Sequence, residues 1–240
     1  MTLPTGYTAR YDFSNLDSLT LSGDEITDIN DLSGNGHHLT RSASGGPTLT
    51  TSAGLGVATL QHARFDGVSG KRLVRTTGNA GITGSFTVFI AQRKQTGGIT
   101  DGNADTMFAV RGLSIYVTGS GLNLWCGGSN QIVSTTDANW TIGGVMTRML
   151  SGSAHSFWIG STNFLNAVSS GSGSSANVCV GGETNTDGSD WDIGEIVIYN
   201  SALDSTNRAL AVSHLNQKWF VDGAEPSSTP ITYSRRVIIG

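Results

Sequence analysis

The segment Trp191-Asp192-Ile193-Gly194-Glu195-Ile196-Val197-Ile198-Tyr199-Asn200 is a strand pattern that passes almost at once into a helix, from Asp204 to about Trp219. Nearly everything else in the chain reads as strands and Gly/Ser/Thr turns, so one late helix restricts the fold to a β-sandwich with a helix laid against it. Asp204 or Ser205 can cap that helix, and Val212, Leu215 and Trp219, at i, i+3 and i+7, put one apolar stripe on a single face. That stripe has to dock on the sandwich.

Strand signals recur along the 240 residues. Residues 85–91 are β-rich on both parities, as a central strand covered on both faces requires. Residues 113–117 alternate aliphatic with polar or aromatic side chains, and Gly119-Ser120-Gly121 turns them into 122–126, which predicts a hairpin. Further short strands are expected around 142–150, 155–159, 176–180 and 193–199, while the Ser/Gly run 169–175 reads as a loop or hairpin tip. With 33 glycines, 37% hydrophobic and only 13% charged residues, the chain has the composition of a turn-rich β protein whose neutral surface suits hydroxyl-rich partners better than phosphates.

A net charge of -4 and the lack of any basic stripe argue against nucleic acid as a partner. Lys71, Arg72 and Arg75 form the densest basic group and read as a solvated loop. No apolar run approaches the roughly 18 residues of a membrane span, so no membrane insertion is expected, and the Met1 end lacks a basic-then-apolar export signal. Cys126 and Cys179 are too few for a disulfide framework or a zinc site; a buried thiol is expected at Cys126, with a bridge as the alternative.

Strand parity supplies the binding candidates. If Leu113, Ile115 and Val117 face the core, Tyr116 faces out; Trp125 likewise lies opposite Leu122 and Leu124, and Trp158 opposite Phe157 and Ile159. Sugar rings stack on aromatic faces while their hydroxyls take amide partners, so Tyr116, Trp125 and Trp158 with Asn123 and Asn130 form the candidate carbohydrate site on a concave sheet. The alternative is that these aromatics pack under loops, under the helix or in a subunit interface. Asp31, Ser33 and Asn35 with Gly36 match the first half of a calcium loop, but Ser42 stands where a bidentate Glu is wanted, so an Asx-turn is the competing reading. Asp101, Asn103 and Asp105 alternate oxygens without the following glycine, and His37-His38 has no partner at metal or catalytic spacing.

Asp31-Leu32-Ser33-Gly34-Asn35-Gly36, then Pro47-Thr48, Ala63-Arg64-Phe65-Asp66-Gly67, Ser85-Phe86-Thr87-Val88, Ile193-Gly194-Glu195-Ile196 and Leu215-Asn216-Gln217-Lys218-Trp219 occur in an order that resembles laminin-G-like, concanavalin A-like jelly rolls. The resemblance spans about residues 7 to 220. It implies an all-β, two-sheet antiparallel jelly-roll sandwich with one short C-terminal helix, over 1–220, followed by a tail or arm, 221–240. The tail resumes a β-like pattern at 231–240, which reads as a closing edge strand or as an arm added to a neighbouring subunit.

Such domains are common in bacteriophage virion proteins and bacterial surface proteins. The expected function is accordingly a non-enzymatic virion structural or decoration subunit with carbohydrate-binding capacity, placed on a virion or particle surface and homo-oligomeric. A stand-alone adhesion module is the alternative, and a polysaccharide-degrading enzyme is third. Asp190-Trp191-Asp192-Ile193-Gly194-Glu195 looks like the acidic cluster of laminarinase-type glycosidases, yet strict alternation puts Asp190 and Asp192 on one face and Glu195 on the other unless a bulge intervenes. No cofactor is expected, with calcium left open.

Overall fold

The computed structural model describes residues 2–51, 55, 60–68, 70–75, 80–95, 105–110, 113–118, 121–125, 130–134, 143–169, 178–184 and 188–220. Within them the first strands are short: β1 (Ala9–Asp12), β2 (Leu19–Ser22), β3 (Glu25–Ile29), β4 (Leu39–Arg41), β5 (Thr48–Thr50), β6 (His62–Arg64) and β7 (Leu73–Arg75). There follow β8 (Phe86–Lys94), β9 (Asp105–Val110), β10 (Leu113–Thr118), β11 (Gly121–Trp125), β12 (Asn130–Ser134), β13 (Gly144–Ser151), β14 (Ala154–Ile159), β15 (Thr162–Ser169), β16 (Val178–Val180), β17 (Trp191–Tyr199) and the helix α1 (Ser205–Trp219). Cys126 and the tail 221–240 lie outside the described residues.

Every ladder is antiparallel. One arm of the sandwich pairs β15, β14, β13, β8 and β17 in that order. The other pairs β7, β16, β9, β10, β11 and β12. The expectation of two separate sheets is refined here, because short strands turn the corner between the arms. β17 pairs with β6, β6 with β5, β5 with β3, β3 with β4 and β4 with β7, so the ladders form one connected network.

Alternation explains how the arms close on each other. Leu113, Ile115, Val117, Leu122 and Leu124 of one arm join Val88, Ile90, Met146, Ile196 and Ile198 of the other in a single apolar core. β8 and β17 are apolar on both parities because both of their faces are covered: Phe89, Ala91, Val197 and Tyr199 turn away from that core into a second cluster with Val145 and α1. Asp204 caps α1 by accepting from the Asn207 amide at 2.8 Å. The helix buries Ala211, Leu215 and Trp219, with the predicted stripe residue Val212 only half-buried beside them.

β17 departs from regular pleating. Its register on β8 shifts between Ile193 and Glu195, a bulge that gives Gly194 and Glu195 a single step of the partner strand. A Cβ on Gly194 would stand 2.6 Å from the Trp219 indole, so only glycine lets the helix approach this closely.

Candidate functional site

Among the described residues the large apolar side chains that reach solvent most are Leu16, Leu21, Val68, Trp125 and Leu210, and Trp125, 37% exposed, is the aromatic one. It ends β11. Across the hairpin, Tyr116 pairs with Asn123, and both lie on the face opposite the core residues Ile115, Leu122 and Leu124. Tyr116 and Asn123 are buried, at 8% and 3%, so they offer little free surface. Ser114 on the same face donates its hydroxyl to Glu183, whose backbone carbonyl takes Arg72. Asn130 is the residue paired with Trp125 across β11 and β12, and its side chain lies outside the described residues.

The structure separates Trp158 from this group. Phe157 faces the core, so Trp158 points to the opposite outer face of the sandwich, where the Arg208 guanidinium of α1 sits 4.5 Å from the ring centroid. Tyr116, Trp125 and Trp158 do all turn outward as parity predicts, but on two different arms. The single concave face containing all three is therefore not formed: Trp158 lies on the other arm, against Arg208 of the helix.

Behind Trp125 lies a residue that pattern reading missed. Arg148 of β13 donates from one nitrogen to the Ser114 carbonyl at 2.8 Å and from the other to the Trp125 carbonyl at 2.9 Å. The only sequence signal for it is an arginine on the parity of Met146 and Leu150, inside an otherwise apolar stripe.

The acidic segment corrects a second expectation. The bulge intervenes, so Glu195 shares the helix-facing side of β17 with Asp192 and Gly194. Both carboxylates are fully buried and spent. Asp192 takes Arg64 at 2.9 and 3.1 Å, has His62 at 3.5 Å, and accepts from Gln95. Burial opposes its ionisation, but the hydrogen bonds from His62 and Arg64 outweigh that and hold its carboxyl below the usual range. Glu195 accepts from Arg10 at 2.7 Å, Lys218 at 2.8 Å and the Trp219 indole at 3.1 Å. Asp12 completes the cluster on Lys218 at 2.5 Å; burial again pushes its carboxyl up and the charge and hydrogen bond of Lys218 bring it lower than usual. Two carboxylates and two cations thus clamp α1 to the sheet.

The calcium candidates are bonded to the protein itself. Asp31 accepts from the amides of Arg10, Ser33 and His37 and from the Ser33 hydroxyl at 2.6 Å, and Asn35 donates to the Thr8 carbonyl at 2.9 Å. These are donors where a cation would want lone pairs, and the loop is an Asx-turn. Burial acts against the Asp31 charge, yet its donors hold it below the ordinary aspartate range. Asp101 and Asn103 lie outside the described residues. The basic residues are also engaged internally: Lys71 on Asp66 at 2.7 Å and Arg75 on the Gly36 carbonyl at 3.1 Å.

A polar groove of about 400 Å³ lies at the β4–β5 turn, lined by Glu25, Arg41, Ser42, Ser44, Thr48 and Lys71. Its charged wall is neutralised by the Arg41–Glu25 pair at 2.7 Å, and it holds no aromatic platform.

No protein-family model and no curated protein matches the chain. Solved structures do share its fold. The sialidase of Trypanosoma rangeli in complex with sialic acid superposes with a TM-score of 0.61 at 13% identity, over 92% of this chain and 34% of the sialidase. A mutant of that sialidase displaying trans-sialidase activity gives 0.63 at 11% identity, over 92% and 34%. The binding domain of botulinum neurotoxin serotype D gives 0.57 at 9% identity, over 87% of this chain and 51% of its own. The chain thus spans about a third of the sialidase and about half of the toxin domain, and what it has in common with them is the β-sandwich.

Proposed function

We propose that this chain is a non-enzymatic, carbohydrate-binding sandwich of the laminin-G-like, concanavalin A-like kind, and that Trp125 is the platform on which a sugar ring stacks. One observation carries the reading: Trp125, 37% exposed, stands at a strand end on the same face as Asn123 and its cross-strand partner Tyr116. A pyranose offers an apolar C–H face to such a ring, and hydroxyl, amide and carboxylate groups are of the type that reads its hydroxyls. The solved neighbours lend support from outside, since one of them is a sialidase holding sialic acid.

The non-enzymatic part rests on the carboxylates. A glycosidase acid must keep its proton near neutral pH, whereas Asp192 is held ionised by Arg64 and His62, and Glu195 is closed beneath α1. Placement as an oligomeric subunit of a phage-like virion or similar particle rests on the order of motifs that the chain shares with such jelly rolls.

A glycan array probed with the intact chain and with Trp125→Ala tests the site. Binding by the parent, lost in W125A and kept in Trp158→Ala, is the expected result. Equal binding by W125A and the parent sinks the site, and a blank array for the parent sinks the carbohydrate reading.

A further inference from the structure

Arg148 is 1% exposed and points inward from β13 between Met146 and Leu150, two residues of the main core. An arginine in that position is expensive to desolvate, and a hydrophobic side chain of similar volume would pack there at least as well. What the guanidinium does instead is reach across the sandwich. Its Nη1 holds the Ser114 carbonyl of β10 and its Nη2 the Trp125 carbonyl of β11, while the same Nη2 lies 3.3 Å from Nδ1 of the fully buried His155 on β14.

The two carbonyls are not an arbitrary pair. The β10–β11 ladder runs from Thr118 opposite Gly121 to Ile115 opposite Leu124 and stops there, one residue short of Ser114 and Trp125. At the open end of the hairpin, the strand end that carries the exposed indole is therefore gripped by a side chain of the opposite arm. A guanidinium presents its donors in a rigid planar fork that satisfies two acceptors at a fixed separation, which a lysine ammonium cannot copy.

The geometry points to Arg148 as the positioning residue for the Trp125 platform: it fixes the Ser114 and Trp125 backbone from across the core, so that the far layer sets the orientation of the binding surface. Its consequence for ligand affinity rests on the reading of Trp125 as a glycan platform. Arg148 touches no ligand in this role and acts only through the strand end.

The test labels the chain with 5-fluorotryptophan and follows the ¹⁹F spectrum, with Trp125→Phe used to assign the Trp125 resonance. In Arg148→Met that resonance is expected to shift or split and to gain the solvent-isotope effect of full exposure, while the other tryptophan signals stay in place. Arg148→Lys, which keeps one charged donor, should displace the same signal less. A Trp125 resonance unchanged in folded R148M overturns the role, and so does a uniform shift of every tryptophan, which is what general core support would give. If R148M does not fold, R148K decides on the same criterion; failure of both to fold overturns the specific role. The same variants go onto the glycan array, where R148M should bind about tenfold more weakly, the scale of one hydrogen bond to a charged group. A moved resonance with a blank array for the parent leaves the positioning role standing and removes the glycan reading. Glycan binding by the parent with an unmoved resonance does the reverse.

Discussion

Gly194 is the residue on which the helix-to-sheet contact turns. The Trp219 ring occupies the space where any other residue would put its Cβ, 2.6 Å away. Gly194→Ala should therefore lower stability by about 1 to 3 kcal/mol, the usual range for overpacking a filled site. Urea unfolding would show it as an earlier midpoint with the slope unchanged, and a midpoint equal to the parent's would refute the close approach. The same residue marks the limit of what pattern reading could deliver here. Alternation puts Asp192 and Glu195 on opposite faces, but one extra residue in the β17 ladder brings both to the helix side. A bulge leaves no trace in composition beyond a glycine, and this chain has 33 of them. The outward direction of Trp125 and Tyr116, by contrast, was readable, because β10 and β11 keep a strict period of two wherever they pair with each other.

α1 is held by two devices of different strength. Asp204 caps it through the Asn207 amide, and Asp204→Ala should cost about 1 kcal/mol. Lys218 lies between the Asp12 and Glu195 carboxylates, 2.5 and 2.8 Å away, and its removal leaves two anions to share Arg10. Lys218→Met is therefore expected to lower the thermal midpoint more than D204A does, and a K218M midpoint at or above that of D204A would show the clamp to be no stronger than the cap. The helix and its cap were legible because capping chemistry and a 3.6-residue period are local. β4, β5, β6 and β7 were not, because strands of three residues such as Leu39–Arg41 and His62–Arg64 are too short to display any period. They exist because neighbouring ladders supply their hydrogen bonds, which is a property of topology. Strand order is equally silent in a single sequence, and that is why parity alone places Trp158 beside Trp125 although it stands on the opposite outer face.

For the molecule as a whole, three of the charges that tie its parts together are aspartates, and they shape how it responds to acid. Asp12 joins β1 to α1 through Lys218, Asp192 joins β17 to β6 through Arg64, and Asp31 ties its own loop to the amide of Arg10 on β1. Burial raises each of the three, but hydrogen bonds and cations outweigh it, so all three carboxyls titrate below the ordinary aspartate range in the folded chain. In the unfolded chain they titrate near the reference value of about 3.9. Between those two ranges the unfolded state binds more protons than the folded one, so stability rises with pH across that window. The contribution is complete above the unfolded value and is lost as pH falls through the depressed folded ones. Urea midpoints should accordingly decline from about pH 5 towards about pH 2 as the three ties are protonated. Asp192→Asn removes one of the three depressed groups while keeping the side-chain shape, so its profile should start lower at neutral pH and fall less steeply in acid. Parallel acid profiles for D192N and the parent would mean that Asp192 is not held below its unfolded value. A parent profile flat from pH 5 to the acid limit would mean that none of the three ties carries the acid sensitivity of the fold.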